Sequence, residues 1–375
     1  MAGSNGNDGN SGTQSAPFKT LERGFGVLLP GDTLYVRGGT YQGFYSTLKI
    51  PSGNSWAQPV TIKAYQQEKV VLTAAPGRSP IRFAVGSHHI IVDGFILDGR
   101  GGNAGIITGE NSHHIRILNS EVMNAPHSGI LTNTGSSFFE FVNLRIHDNG
   151  SSHFDHGLYI ATSNHLVKDC LIYRNTGWGV HIYSGAGLQP GNNLIMNNKV
   201  YQNATSGNGI EIGIYSGAGN SVINNLVWST KTGINVNSGA SQTSVYNNTI
   251  YKGAYGIVMG DSSSGTKVFN NIISSSATFG LHVNKNSQNS QIKNNLIYNS
   301  GQKDILNQSP TTTLNNNFEG NNFNPHLQNP ESFDFHLQSG SPAIDAGLGI
   351  SEVGHDFDYI SRPQGSSHDI GAHER

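Results

Sequence analysis

A short motif recurs along most of this chain: a glycine followed by residues in which every second side chain is apolar. Eight copies are evident, and they begin at Gly105, Gly129, Gly157, Gly179, Gly209, Gly233, Gly256 and Gly280. Their spacing is roughly that of one solenoid turn, which predicts that the chain coils and lays each strand on the one before it. Equivalent side chains of successive turns then stack about 4.8 Å apart, so the repeat also predicts which residues share a surface.

A second column consists of polar pairs that stand between two apolar stretches of each repeat. The pairs are Asn119-Ser120, Asp169-Cys170, Asn197-Asn198, Asn224-Asn225, Asn247-Asn248, Asn270-Asn271 and Asn294-Asn295. Asparagines stacked at a tight bend satisfy one another and the backbone along the solenoid axis. Three short strands per turn and an asparagine ladder predict an all-β fold, a single-stranded parallel β-helix, and the general handedness of parallel connections makes it right-handed.

Composition agrees with a solenoid and excludes several classes of function. The chain has 375 residues with 48 glycines, only 12% charged residues and a net charge of −2. This charge gives no basic surface for nucleic acid, and no apolar run approaches the roughly 20 residues that span a bilayer. The single Cys170 has no partner for a disulfide or a cysteine-type zinc site, so we interpret it as a packed thiol.

The repeat divides the chain into three parts. Residues 1–58 are predicted to form an N-terminal cap with a helix over about 17–29 and the first strands, where the helix covers the open end of the solenoid. The coils are predicted over 59–320. Residues 321–375 break the pattern and are rich in Pro, Gly, Asp and His. We interpret them as an irregular C-terminal cap packed on the solenoid, in which Asp and His side chains tie down non-repetitive backbone.

The coil pattern, the asparagine pairs, the opening segments 12–18 and 30–41 and the closing segments 341–347 and 369–372 resemble the pectate-lyase-like superfamily of right-handed β-helix proteins. The resemblance covers nearly the whole chain. It implies a secreted, carbohydrate-active protein with a polysaccharide or oligosaccharide substrate bound in a groove on the first parallel sheet. The first nine residues form no signal peptide, and we expect that the signal of a secreted protein has been removed. We also expect a monomer with no nucleic-acid or membrane partner.

Chemically useful side chains concentrate in four neighbouring repeats. The third position of the glycine-led strand carries Tyr159, His181, Glu211 and Asn235, and it points outward because the second and fourth positions are apolar. The fifth position adds Tyr183, and the turn before the strand adds His127, Asp155, His156 and Trp178. When the repeats are stacked, these equivalent positions come together and predict one patch roughly 15 Å tall. The long turn 184–192 is the predicted wall of the groove.

β-Elimination in a uronate polymer needs a base at C5, an acid for the leaving oxygen and a group that neutralises the carboxylate. The predicted base is His181 or His156, and the predicted acid is Tyr159. A protonated His127 or His156 could neutralise the carboxylate, and so could calcium held by Asp155 and Glu211. We assign no metal site on this basis. Trp178, Tyr183, His127 and Asn235 are predicted to bind substrate.

Three alternatives remain open at this point. A glycoside hydrolase would use Asp155 and Glu211, although two coils separate them by about 10 Å, at or beyond the inverting range. A uronate C5-epimerase shares the first proton abstraction with a lyase. A non-catalytic glycan-binding solenoid would use the aromatic residues as stacking platforms. Asp155 can also be interpreted as the cap of a turn.

Overall fold

The computed structural model describes residues 5–44, 49–185, 187–205, 209–229 and 231–375. The chain divides into two compact units, residues 1–177 and residues 178–375, here called unit 1 and unit 2. Both units are parallel β-solenoids, so the predicted fold class is confirmed. None of the helices that the structure describes has the length and the apolar character needed to span a bilayer.

The only α-helix among the described residues, α1, spans Leu21–Phe25 and is much shorter than the predicted 17–29. The Thr20 side chain accepts a hydrogen bond from the Arg23 N–H and caps its start. Gly26 ends it, because a glycine costs more backbone entropy in a helix than other residues do. The Phe25 ring packs edge-on against Phe44, with ring centroids 5.4 Å apart.

Short strands fill unit 1, and a 3-10 turn at Tyr65–Gln67 interrupts them. The strands are β1 Thr33–Val36, β2 Gly39–Gln42, β3 Val60–Ala64, β4 Val70–Thr73, β5 Ile81–Arg82, β6 His88–Asp93, β7 Phe95–Asp98, β8 Ile106–Ile107, β9 His113–Leu118, β10 Glu121–Met123, β11 Ile130–Leu131, β12 Ser137–Val142, β13 Arg145–His147, β14 Leu158–Ile160, β15 Leu166–Lys168 and β16 Leu171–Tyr173.

Unit 2 continues with strands of two to five residues, and a second 3-10 turn lies at Pro330–Ser332. The strands are β17 Val180–Ile182, β18 Leu194–Met196, β19 Lys199–Tyr201, β20 Ile210–Ile214, β21 Ser221–Ile223, β22 Leu226–Trp228, β23 Thr232–Val236, β24 Ser244–Tyr246, β25 Thr249–Tyr251, β26 Tyr255–Met259, β27 Lys267–Phe269, β28 Ile272–Ser274, β29 Phe279–Val283, β30 Gln291–Lys293, β31 Leu296–Tyr298, β32 Lys303–Asn307, β33 Thr313–Asn315, β34 Phe318–Glu319, β35 Leu327–Asn329 and β36 Asp334–Leu337.

Strands of successive turns pair in parallel, so the solenoid strands of each unit form three sheets, and β35 and β36 form a separate antiparallel pair in unit 2. In unit 1 the orders are β1-β3-β6-β9-β12-β15, β2-β4-β7-β10-β13-β16 and β5-β8-β11-β14. In unit 2 they are β18-β21-β24-β27-β30-β33, β19-β22-β25-β28-β31-β34 and β17-β20-β23-β26-β29-β32. The glycine-led strands form the third sheet of each unit. Their second and fourth positions are fully buried, as Leu158 and Ile160 illustrate, so the predicted alternation of inward and outward side chains is confirmed.

The predicted asparagine ladder runs through unit 2. Both the backbone N–H and the side-chain amide of Asn225 donate to Asn248 Oδ1, at 2.9 and 3.0 Å. Asn248 repeats both bonds to Asn271 Oδ1, and Asn271 repeats them to Asn295 Oδ1. The side-chain amides of Asn225, Asn248 and Asn271 are therefore hydrogen-bonded although they are buried.

The first asparagine of each pair serves a different purpose. In five pairs of unit 2 its side-chain amide donates to a backbone carbonyl of the C-terminal segment, residues 321–375. These bonds join Asn197 to Phe357, Asn224 to His355, Asn247 to Asp369 and Gly371, Asn270 to Leu348, and Asn294 to Ala346. The segment predicted as a cap thus lies along the side of unit 2 for five turns.

Candidate functional site

The structure places the predicted site residues in both units. Unit 1 contains His127, Asp155, His156 and Tyr159, and unit 2 contains Trp178, His181, Tyr183, Glu211 and Asn235. Each group has an internal geometry of its own. Ala186 of the predicted groove wall and the turn residues Gly207 and Asn208 lie outside the described residues.

Asp155 organises the turn that precedes β14 in unit 1. Its Oδ2 accepts hydrogen bonds from the backbone N–H groups of Ser151 and Ser152, at 3.1 and 2.8 Å, and from the Ser152 hydroxyl at 2.8 Å. Its Oδ1 lies 3.2 Å from Nδ1 of His127, whose ring is exposed. Burial raises the pKa of Asp155, but the bonds from Ser152, Ser151 and His127 outweigh it and hold the pKa below its ordinary value. Asp155 therefore caps the turn as an ionised carboxylate.

His156 and Tyr159 form a stacked pair in unit 1. Their ring centroids lie 5.7 Å apart with the planes within 10° of parallel. Tyr159 occupies the outward column and lies opposite Leu131 in the neighbouring strand β11. The His156 ring is buried, and this desolvation lowers its pKa to about 4. His156 is consequently neutral at pH 7 and a weak base.

An aromatic cluster surrounds His181 in unit 2. The His181 ring stacks on Tyr183, with centroids 5.4 Å apart and planes within 5°, and it meets the Tyr215 ring edge-on at 5.5 Å. The ring centroid of Trp178 lies 4.2 Å from that of His181 and 5.0 Å from that of Tyr215. Three aromatic walls thus fix the orientation of one imidazole, which keeps 8% of its surface exposed. We call Trp178, His181, Tyr183 and Tyr215 the aromatic cluster.

The strand register explains how the indole fits into this cluster. His181 pairs with Gly213, and Gly213 pairs with Asn235 in the next turn. A Cβ atom at residue 213 would lie 2.8 Å from two ring carbons of Trp178. Only a glycine leaves room for the indole over the strand at this point. The Asn235 side chain closes the column and donates a 3.0 Å hydrogen bond to the Tyr215 hydroxyl oxygen.

This register corrects the predicted position of Glu211. The sequence repeat places Glu211 beside His181, whereas β20 is displaced by two residues and presents Gly213 there. Glu211 instead falls between the pairs Ile210–Thr232 and Ile212–Ile234, in the column of the leading glycines. A shift of two residues keeps every side chain on its predicted face, so the alternation of apolar residues cannot reveal it.

Glu211 is enclosed where the turn meets the strand, and only 2% of it is exposed. Its Oε2 accepts hydrogen bonds from the backbone N–H and the side-chain amide of Asn203, at 3.4 and 2.7 Å. In unit 1 the side-chain oxygen of Asn175 accepts the same two bonds from Asn149. The Glu211 carboxyl therefore stands where the next asparagine of a ladder would place its oxygen. Burial raises its pKa to about 8, so the carboxyl is mostly protonated at pH 7.

Sequence reasoning missed Tyr215. The backbone N–H of Tyr215 donates to the Ile182 carbonyl, which places this residue level with Tyr183 in the column next to His181. Burial raises the pKa of its hydroxyl, and a hydrogen bond from Asn237 opposes that effect in part. The signal is present in the sequence, since the apolar alternation continues from Ile210 through Ile212 to Ile214 and makes Tyr215 the next outward residue after Gly213.

Comparisons with known proteins agree with the observed fold. The family described as "Right handed beta helix region" matches residues 58–195, 128–297 and 232–339. A curated relative, the uncharacterized protein YwoF of Bacillus subtilis (strain 168), is 27% identical over 129 residues, which are 32% of this chain. The chain spans about a quarter (27%) of the length of that relative.

Solved structures of low sequence identity share the architecture. Pectate lyase Pel9A superposes with a TM-score of 0.72 at 18% identity, over 100% of this chain and 95% of the lyase. XylC, solved in complex with xylose, gives a TM-score of 0.66 at 12% identity, over 99% and 97% of the two chains. The A-module of mannuronan C-5 epimerase AlgE4 from Azotobacter vinelandii gives 0.61 at 14% identity, over 78% of this chain and 87% of the module.

Proposed function

We propose that this chain, which belongs to the right-handed β-helix family, is a carbohydrate-active enzyme that cleaves an acidic, uronate-containing polysaccharide by C5 proton abstraction and β-elimination. The observation that carries the proposal is the packing of His181 between Tyr183, Tyr215 and Trp178. A pectate lyase and a mannuronan C-5 epimerase, two solved proteins of this fold, bear names that refer to uronate polymers, which supports the substrate class.

His181 is the proposed base. An imidazole can act as a general base near neutral pH, and the stacking of His181 on Tyr183 fixes the orientation of its ring. His156 was the other candidate from the sequence. Burial lowers the pKa of His156 to about 4, which makes it a weak acceptor of a C5 proton. We therefore assign the proton abstraction to His181.

Tyr215 is the proposed acid. Its hydroxyl oxygen accepts a hydrogen bond from Asn235, so its own proton can pass to the glycosidic oxygen as the C4–O bond breaks and the C4=C5 double bond forms. Burial raises the pKa of Tyr215 and keeps this hydroxyl protonated at neutral pH. Tyr159, the acid predicted from the sequence, stacks on His156 in unit 1, and its role stays a prediction. Trp178 and Tyr183 supply apolar ring faces on which a pyranose can stack.

Neutralisation of the substrate carboxylate stays a predicted role of His127, a residue of unit 1 whose exposed ring is hydrogen-bonded to the ionised Asp155. The alternative from the sequence, calcium held by Asp155 and Glu211, fits these residues poorly. Asp155 Oδ2 already accepts three short hydrogen bonds, and the raised pKa of Glu211 favours a neutral carboxyl. Calcium prefers several ionised or carbonyl oxygens that are free to coordinate. We derive no step through calcium.

The state of the Asp155 and Glu211 carboxyl groups also weakens the hydrolase alternative. It needs two carboxyl groups that reach the glycosidic bond, and Glu211 is buried against Asn203. The epimerase alternative keeps the same base and differs only in the fate of the C5 carbanion, which takes up a proton on its opposite face instead of expelling the leaving oxygen. A non-catalytic glycan-binding solenoid would need the stacking rings but no base.

The test is turnover of a panel of uronate polymers, such as polygalacturonate and alginate, monitored through the ultraviolet absorbance of the unsaturated product. We expect that His181→Ala abolishes this absorbance and leaves glycan affinity within about threefold, because the aromatic walls remain. His282→Ala is the matched control: successive strand registers place His282 in the column of His181, several turns away. It should keep full activity.

Four outcomes would contradict the proposal. Unchanged turnover in His181→Ala would exclude His181 as the base. Reducing ends that form without ultraviolet absorbance would favour the hydrolase, and an altered uronate composition without cleavage would favour the epimerase. Binding of a polymer without any turnover would favour the glycan-binding solenoid.

A further inference from the structure

Two histidines and an aspartate converge in the C-terminal segment of unit 2, a region that the proposed reaction does not use. His336 Nε2 lies 2.8 Å and His373 Nδ1 lies 2.9 Å from the same atom, Asp358 Oδ2. The two imidazole rings are in contact, with centroids 4.0 Å apart. Within the described part of the chain, this is the one group of three such side chains whose ligand atoms all lie within 4.8 Å of one another.

We propose that His336, Asp358 and His373 bind a divalent transition-metal ion, and that zinc is the ion they fit best. Two imidazole nitrogens and one carboxylate oxygen form a donor set typical of zinc, with a fourth position left for water. Calcium and magnesium prefer oxygen donors and would gain little from two imidazoles. Both ligand nitrogens lie at hydrogen-bond distance from the third ligand atom, Asp358 Oδ2, and all three atoms lie within 4.8 Å of one another, so small side-chain movements suffice to admit an ion between them.

The surroundings of His336 support this assignment independently. Its other ring nitrogen, Nδ1, lies 2.6 Å from Asp334 Oδ1. A histidine that ligates a metal commonly donates its second N–H to a carboxylate, which fixes the tautomer and leaves the opposite nitrogen as the ligand. With Nδ1–H directed at Asp334, His336 presents Nε2 toward Asp358 and His373.

Exposure gives an ion a path to the site. The side chains of His336 and Asp358 are 55% and 40% exposed, whereas that of His373 is 4% exposed. The site therefore has a buried ligand at its base and an open face toward solvent. This arrangement allows exchange with free metal and leaves room for the fourth ligand.

The proposed ion would fix the C-terminal segment to unit 2. His336 belongs to β36, whose Phe335 and Leu337 pack in a hydrophobic cluster with Leu226 and Leu296 of the solenoid. Asp358 and His373 come from two other stretches of the segment. An ion bound to all three would join these irregular stretches where they have few strand hydrogen bonds of their own, and binding free energy would appear as stability.

The test is calorimetric titration of Zn²⁺ into the metal-free full chain, with thermal unfolding measured with and without the ion. We expect one tightly bound zinc per chain, with a micromolar or lower Kd, and a higher melting temperature in its presence. His336→Gln and Asp358→Asn should weaken binding at least tenfold and remove the zinc-dependent rise. Both residues are exposed, so the melting temperatures in a chelator should remain close to that of the wild type.

A second group of histidines provides the control. His88, His89, His113 and His114 stack on neighbouring strands of unit 1 and could also take up zinc. His113→Gln should leave the tight site intact. Cobalt substitution should give visible absorption typical of a four-coordinate nitrogen and oxygen site in the wild type and in His113→Gln, but not in His336→Gln. The proposal is overturned if zinc binds only weakly, or if His336→Gln keeps wild-type affinity while His113→Gln loses it.

Discussion

Replacing Glu211 by glutamine separates a structural role of this carboxyl from the catalytic role that its sequence position predicts. Glutamine keeps the side-chain oxygen that accepts from Asn203 and has the size of a protonated glutamate. It cannot ionise. As pH rises, the wild-type carboxyl must ionise in a buried site, which costs free energy. The variant has no ionisable group there and so has no such cost.

The magnitude can be derived from the pKa. Burial raises it from an ordinary 4.5 to about 8 in the folded chain. The folded state thus holds the proton more tightly than the unfolded state. The associated stability is fully present below pH 4.5 and is lost as pH rises through 8. The wild type and Glu211→Gln should be equally stable at pH 4. The free energy of unfolding of the wild type should be about 3 kcal/mol lower than that of the variant at pH 7 and about 5 kcal/mol lower at pH 9.

The assay is thermal and urea unfolding of both proteins at pH 4, 7 and 9. The variant should melt about 10 °C above the wild type at pH 9, given the size of unit 2. Glu110→Gln, at an exposed glutamate of unit 1, is the control and should change stability by less than about 0.5 kcal/mol at every pH. A difference between Glu211→Gln and the wild type that does not grow with pH would refute the reasoning. If Glu211→Gln is more stable than the wild type at alkaline pH but has lost turnover, Glu211 has the catalytic role that the sequence predicts.

Three further predictions, two on variants and one on the native thiol, test other features. Gly213→Ala places a methyl group against the Trp178 ring, so indole fluorescence should shift and kcat/KM should fall at least tenfold; unchanged kinetics would contradict the role of the aromatic cluster. Arg362→Met leaves the fully buried Glu374 carboxylate without its 2.6 Å partner and should cost about 3–5 kcal/mol in urea unfolding, and a loss below about 1 kcal/mol would contradict this. Burial raises the pKa of Cys170 to about 12, so the native thiol should not react with Ellman's reagent at pH 8 and should react fully after denaturation.

Sequence alone predicts the solenoid well because its two signals reflect strong physical constraints. Buried residues such as Ile234 and Val236 must alternate with outward ones in every strand. Buried asparagines such as Asn248 must find partners along the axis, which only stacked turns provide. Both signals recur along most of the solenoid, so a local irregularity does not hide them.

The register of β20 could not be predicted in the same way. Ile210, Ile212 and Ile214 are all apolar, so two registers two residues apart bury the same kind of side chain. Eight residues (202–209) separate β19 from β20, whereas three (229–231) separate β22 from β23. The observed register brings Gly213 level with His181 and moves Glu211 out of the outward column.

Long-range contacts of the C-terminal segment were also invisible in the sequence. In the sequence the two asparagines of each pair look equivalent. In the structure Asn248 and its equivalents face the interior, whereas Asn247 binds backbone carbonyls more than a hundred residues away. The convergence of His336, Asp358 and His373 depends on the same fold of the segment. Nothing in their spacing distinguishes these residues from groups that merely tie down backbone.

The row of hydrogen bonds between Asn197, Asn224, Asn247, Asn270 and Asn294 and the C-terminal segment limits how this protein can evolve in length. Duplication of one coil is the simplest way for a solenoid to grow. Here an inserted coil would add an asparagine without an acceptor and move every later one out of step with its carbonyl. The number of coils in unit 2 can therefore change only together with the tail that runs alongside them.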